Sequence, residues 1–201
     1  ASSDTGDSAT DYVTNDNTLV FKGTAEADSS TLVVLTDASN ATVFSTTLTA
    51  TGGNWSVDRS ASALADDTYT LTVTSSDSAG NQATATKTII IDTAATIGIT
   101  NNSKTSDTTP VITGSSDLES GRTVTVDIDP NNDGVWTAQQ TYTTTVLAGG
   151  SWSVEATTPP VATPPGTIGV RASATDLAGN SDTTATRSLP IDTTVPVITI
   201  P

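Results

Sequence analysis

The sequence has no cysteine, no histidine and no methionine in 201 residues. Without cysteine there is no disulfide to brace a small domain, and an extracellular address cannot be read from cystines. The joint lack of Cys and His removes the usual zinc sites, the Cys–His nucleophile pair and the His general base. Basic residues are scarce: 7 Lys plus Arg stand against 22 Asp plus Glu, a net charge of -15 that repels nucleic acid and anionic membrane surfaces. Aromatic residues make up 4% and hydrophobic residues 34%, so any core is built from Val, Ile, Leu and Ala around a few large rings. There is no apolar run of membrane-spanning length, no signal peptide, and no 3.6-period stretch of helical length.

What is present is a repeat. From Tyr69, YTLTVTSSDSAGNQATATKTIIIDT reads as strand, tight turn, strand, with Leu71 and Val73 alternating with threonines before the turn residues Asp77, Gly80 and Asn81. The pattern returns from Ile168, with Val170 and Ala172 leading to Asp176, Gly179 and Asn180, and Asp92 recurs 100 residues on as Asp192. Gly23 pairs with Gly114 in this register, and Asn54-Trp55-Ser56-Val57 with Ser151-Trp152-Ser153-Val154. A period near ~100 residues is the size of one small sandwich domain. The expected fold is therefore all-β, two tandem immunoglobulin-like β-sandwich domains, with repeat 1 at 1–93 and repeat 2 at 94–193. Residues 194–201, TTVPVITIP after Asp192, match TAATIGIT after Asp92 and read as the opening strand of a further, truncated repeat.

Within repeat 1 the expected strands lie near Tyr12-Val13, up to Gly23, at Leu32 to Leu35 and at Val43 to Leu48, the last two joined by the turn Asp37-Ala38-Ser39-Asn40. Trp55 and Val57 share a face, and Trp55 and Trp152 are expected in the cores. Tyr69 begins the penultimate strand, the place of the tyrosine corner, whereas repeat 2 has Ile168 there. Repeat 2 is longer at Asp127 to Gly134 and in the proline-bearing TTPPVATPPGT, and Trp136 has no counterpart in repeat 1.

The motifs TNDNT, GTAEA, GNWSV, ALADDTYTLTVTSSDSAGN and TIIIDT, with TSDTTPVITG, GSWSV, ATDLAGN and PIDTTVP in the second copy, resemble the bacterial immunoglobulin-like repeats of giant RTX-type and biofilm-associated surface adhesins. That resemblance implies a non-catalytic array on the bacterial cell surface, with calcium stiffening the joints between neighbouring repeats of the same chain. It also implies an extracellular location, no membrane insertion of this segment, and a monomer.

The acids pose the calcium question independently. Sandwich topology gathers the loops at two ends, and Ca2+ takes six to eight oxygens. At the joint this nominates Asp16, Asp66, Asp67 and Asp92 from repeat 1, and Asn101, Asn102, Asp117, Glu119 and Asp176 from repeat 2. Asp4, Asp7, Glu26, Asp28 and Asp77 fall at the opposite end of repeat 1, and Asp107 and Asp192 at the far end of repeat 2. The inserted loop Asp129-Pro130-Asn131-Asn132-Asp133-Gly134 matches the first half of a calcium-binding EF-hand loop, with ligands at Asp129, Asn131 and Asp133 and a further oxygen from Asp127; position twelve is Gln140 rather than Glu. Each acid also has a plainer reading as a turn cap, and Asn132-Asp133-Gly134 as a hairpin turn.

These patterns favour a cell-surface extender that projects a distal ligand-binding region for adhesion or biofilm formation. A carbohydrate-binding role for repeat 2, through Trp136, Tyr142 and the proline segment, is the alternative. A two-carboxylate glycosidase would need its acids to converge in a cleft, whereas here they sit in turns and recur between repeats, so no enzyme is expected.

Overall fold

A computed structural model describes residues 4–101, 103–136, 139–160 and 165–200. All regular structure among them is β, and no described helix is long and apolar enough to cross a membrane. The chain divides into two compact units, residues up to Ala94 with Leu177–Asn180, and Ala95–Asp176 with Ser181 onward.

Unit 1 holds β1 (Val13–Thr14), β2 (Val20–Thr24), β3 (Ser30–Thr36), β4 (Thr42–Thr49), β5 (Asn54–Asp58), β6 (Asp67–Ser76) and β7 (Gln82–Ile91). One sheet runs β1-β7-β6-β3-β4 and the other is the pair β2-β5. Alternation decides the faces: along β3, Thr31, Val33 and Leu35 are buried, and every second residue faces out. The core between the sheets is Leu19, Phe21, Val33, Leu35, Trp55, Leu64, Tyr69, Ile89 and Ile91. The Asp37 to Asn40 turn forms as expected: the Asp37 carboxylate accepts from the backbone of Ser39 and Ala41, and Asn40 takes the left-handed φ of 64°.

Unit 2 holds β8 (Ile97–Ile99), β9 (Val111–Ser116), β10 (Thr123–Asp129), β11 (Gln140–Thr145), β12 (Ser151–Glu155), β13 (Gly166–Thr175), β14 (Ser181–Thr183) and β15 (Arg187–Ile191). Its sheets are β12-β9-β8 and β11-β10-β13, with β14 and β15 both on β13. Seven strands were expected per repeat, and here the last is broken in two. The cause is Thr184, whose hydroxyl accepts from Ala172 N while its own N–H donates to Ala172 O, replacing the regular ladder at that point. The core centres on Trp152, Ile112, Ile128, Ile168, Val124 and Ile191.

Trp55 and Trp152, 8% and 2% exposed, occupy equivalent core positions. Burying such a ring contributes roughly 4 to 6 kcal/mol of transfer free energy. The Tyr69 hydroxyl donates to Ala65 O at 2.9 Å, closing the corner read from the sequence, and Ile168 replaces it with a fully buried aliphatic side chain.

The two units differ in their first strand. In unit 1, β1 pairs parallel with β7, Val13 against Ile90 and Thr14 against Ile91. In unit 2, β8 first pairs antiparallel with β9 in the opposite sheet, and the chain reaches the last strand only at the parallel bridge Thr105 to Ile191. After Ile191, residues 192–200 form no strand, and Val195, Val197, Ile198 and Ile200 are exposed.

Candidate metal sites

Strand register brings the four expected acids of repeat 1 to one end of unit 1. Thr14 pairs with Ile91, and Ile91 with Asp67, so Asp16, Asp66, Asp67 and Asp92 all lie within two residues of a shared rung. Each carboxylate nonetheless already accepts a hydrogen bond, Asp16, Asp67 and Asp92 within their own turns and Asp66 from the residue after Asp92. Asp16 accepts from Thr18 N at 2.9 Å and Thr18 Oγ1 at 2.8 Å, Asp66 from Thr93 Oγ1 at 2.8 Å, Asp67 from Thr68 N at 2.7 Å, and Asp92 from Ala94 N at 3.2 Å.

Unit 2 repeats this arrangement. Asp107 accepts from Thr109 N at 2.9 Å, and Asp192 from Thr194 N at 2.8 Å, while Asp92 N and Asp192 N donate to Thr14 O and Thr105 O respectively. Lys104 forms an ion pair with Asp192, and together with the Thr194 hydrogen bonds it holds that carboxyl well below its ordinary range. At the other end of unit 2, Asp117 accepts from Thr96 N at 2.7 Å and Asp182 from Ile97 N at 2.9 Å, which pins the start of β8. Glu119 is exposed, Asp176 is buried, and Asn102 lies outside the described residues.

Asp77 is a turn cap. Its carboxylate accepts from Ala79 N, Asn81 N and Asn81 Nδ2 at 2.9, 2.8 and 2.7 Å, Gly80 takes φ 91°, and the hydrogen bond from the Asn81 side chain leads the causes that lower its pKa. Asp4 Oδ2 accepts from Tyr12 N at 3.0 Å.

The inserted loop is built around Asp129, which is fully buried. Its carboxylate accepts from the backbone N–H groups of Asn131, Asn132 and Gly134 at 3.3, 3.1 and 2.9 Å, while Asn132 and Gly134 turn through left-handed φ of 51° and 80°. Asn131 Nδ2 donates to Asp133 Oδ2 at 2.6 Å, so two would-be ligands already lie side by side. Gln140, at position twelve, is the first residue of β11 and accepts from the Tyr142 hydroxyl instead. Asp127 is committed elsewhere, to Arg171 at 3.0 Å and Thr141 Oγ1 at 2.7 Å. The loop's own side chains that could ligate are Asp129, Asn131 and Asp133, fewer than the six to eight oxygens calcium takes. Among the described residues no three acids converge closely enough to hold a metal ion.

Arg171 also covers one face of Trp136, its guanidinium carbon 4.0 Å from the ring centroid. Trp136 and Tyr142 are both half-buried. The Arg171 cluster, Asp182 and Lys104 carry no local motif, and their partners lie far away in sequence; sequence reasoning therefore missed them.

The family profile for the bacterial Ig-like domain matches residues 1–93 and 96–193, nearly the whole chain. The chain belongs to the bacterial Ig-like domain family. A search of curated proteins gave no match. Among solved structures, this bacterial Ig-like chain is similar to a tetra-tandem repeat in the extending region of a large adhesion protein, at 23% identity and TM-score 0.46 over 88% of this chain and 46% of that one. It is also similar to a 1.5-MDa bacterial ice-binding adhesin, at 26% identity and TM-score 0.45 over 90% of this chain and 60% of that one. A third similar structure is a Ca2+-stabilized adhesin of an Antarctic bacterium, at 30% identity and TM-score 0.36 over 90% and 45%. The chain spans about half the length of these structures.

Proposed function

We propose that this chain is a non-catalytic extender segment of a large bacterial cell-surface adhesin, outside the cell, with Ca2+ rigidifying the joints between successive repeats. The supporting observation is the recurrence of one Ig-like unit in tandem with its end acids in the same places, Asp16 with Asp107 and Asp92 with Asp192, each held on an equivalent backbone rung. A spacer requires identical scaffolds joined end to end, and a cation at a joint requires carboxylates that each repeat delivers to its ends. Calcium's part is orientation rather than folding, because each unit already has its own core. The segment would carry a distal ligand-binding region away from the cell for adhesion or biofilm formation.

Small-angle scattering of the 201-residue chain in millimolar calcium, and again with excess chelator, tests the reading. A maximum dimension that shrinks or broadens on chelation, with the β signal unchanged in circular dichroism, supports it. An unchanged profile removes calcium from the joint.

A further inference from the structure

The outer faces of the two larger sheets differ. In unit 1, Val33, Tyr69 and Ile89 point into the core, which turns the alternate residues of β3, β6 and β7 outward. Register then sets threonines side by side: Thr70 opposes Thr88, Thr72 opposes Thr86 and Thr74 opposes Thr84. β3 continues the rows with Val34 beside Thr72 and Leu32 beside Thr74, and β4 closes them with Ser45 and Thr47. Four such rungs cross all four strands, and none of their sixteen residues is acidic or basic. Leu32 is 38% exposed, and Thr84, Thr86 and Thr88 are exposed.

In unit 2 the equivalent face is charged and carries its own cover. Val126, Ile128, Val170 and Ala172 are buried, so Asp127 and Arg171, opposite each other on β10 and β13, face outward. The inserted loop lies over them: Trp136 stacks on Arg171, and Asn132 Oδ1 is 2.7 Å from where a Cβ on Gly169 would be. Unit 1 connects the corresponding strands by the short Asp37 to Asn40 turn, which brings no such cover.

We propose that two copies of the chain associate through this face, sheet on sheet about a twofold axis. Charge selects the occupant. Residues 1–95 hold 12 acids and 3 bases, yet the threonine rows hold neither. A cationic partner is drawn to the acids of the unit's turns, and an anionic one is repelled by them. A second copy brings a neutral face of its own, and its contact desolvates no charge. Depletion of charge at the centre is also what marks protein interfaces in composition. Threonine methyls with Leu32 and Val34 supply apolar contact, as in the packing of sheets face to face. Four strands at ~4.8 Å and four rungs at ~6.8 Å cover about 500 Å² on each copy, or roughly 1,000 Å² in total, the size of a weak, specific contact. The interface is isologous and departs from the monomer implied by the family resemblance. It rests neither on the extender reading nor on calcium.

Sedimentation equilibrium of the full chain in excess chelator, from micromolar to millimolar concentration, tests the proposal. At about 150 mM salt the average mass is expected to rise with concentration towards that of a dimer, and to rise further at about 1 M salt, where the Debye length falls to roughly 3 Å. Thr47→Glu combined with Thr86→Glu puts carboxylates on both sides of the face. Ser56→Glu combined with Ser153→Glu adds the same charge on the opposite sheets. All four positions are exposed, and circular dichroism verifies the fold of each variant. The first pair is expected to weaken association at least tenfold, and the second to leave it within about twofold. A wild-type chain that stays monomeric, a mass that falls as salt rises, association indifferent to the first pair, or equal weakening by both pairs would each overturn the proposal.

Discussion

Gly114 and Trp152 face each other across the β9–β12 ladder, and the indole lies where a Gly114 side chain would be. The pair Gly23 and Trp55 repeats this across β2 and β5, with Trp55 Cζ2 2.7 Å from the place of a Cβ on Gly23. At Gly114 a Cβ meets both the Trp152 ring and the backbone oxygen of Gly98. Alanine at either glycine therefore overpacks a core, and Gly114→Ala has the less yielding neighbour because backbone cannot rotate away. The expected losses are about 1 to 3 kcal/mol, greater at Gly114→Ala than at Gly23→Ala, measured by urea unfolding of each variant.

Removing the Tyr69 hydroxyl leaves the Ala65 carbonyl without its donor. Tyr69→Phe is expected to destabilise unit 1 by about 0.5 to 1.5 kcal/mol and to leave unit 2, which has Ile168, unchanged. Burial, aided by the nearby Asp67, raises the Tyr69 pKa above its ordinary value. A raised folded-state value means that its stability is complete below the unfolded value near ~10 and is lost as pH rises through the folded value. Alkaline unfolding followed by tyrosinate absorbance should thus affect unit 1 first, and Tyr69→Phe should remove that contribution.

Asp37, Asp58 and Asp77 have lowered pKa values, led by the side chains of Ser39, Ser60 and Asn81 respectively. Depressed folded values give stability that is present above the unfolded carboxyl value near ~3.9 and is lost as pH falls through the folded ones. Carboxyl-carbon NMR titration should show these three aspartates protonating later than an unperturbed aspartate. Asp77→Ala should free the Asn81 amide to exchange faster.

Arg171 links Asp127 to the face of Trp136. Arg171→Gln removes the ion pair and the stacked cation, with an expected cost of about 1 to 2 kcal/mol for a partly exposed cluster. Trp136 should respond with a red-shifted emission component, read in a Trp136→Phe difference spectrum, while the buried Trp55 and Trp152 stay unchanged.

If calcium occupies the ends of the repeats, millimolar calcium should add about 0.4 to 1.4 kcal/mol per site, the range set by dissociation constants of ~10⁻³ to 10⁻⁴ M. Asp66→Asn with Asp92→Asn should reduce that increment, as followed by thermal unfolding with and without chelator. An increment that both substitutions leave intact would place the ion elsewhere.

The repeat carried much of the fold in plain view because its landmarks are local: D-x-A-G-N is a complete turn, with Asp77 and Gly80 both acting within five residues. Tyr69 was legible for the same reason, since its partner is Ala65. Asp182 and Arg171 were not, because their partners, Ile97 and Asp127, come from other strands and carry no spacing signal. The break between β14 and β15 was equally hidden, since a lone threonine replacing a ladder bond looks like any other threonine in this Thr-rich chain. Strand register does gather Asp16, Asp66, Asp67 and Asp92 at one end of unit 1, because Thr14 and Asp67 both pair with Ile91. That each of these carboxylates also holds an N–H or hydroxyl was not legible, least of all for Asp66, whose partner Thr93 lies 27 residues on.

The parallel pairing of the first strand with the last has a mechanical consequence. Within unit 1, Ile90 N donates to Tyr12 O and Asp92 N to Thr14 O; within unit 2, Thr105 N donates to Pro190 O and Asp192 N to Thr105 O. Tension applied along a chain that enters at the first strand and leaves at the last loads these bonds in shear, so they resist together rather than peeling one at a time. Unit 1 meets that load with the two paired residues of β1, whereas unit 2 meets it with the single bridge at Thr105 behind the antiparallel β8–β9 pairing.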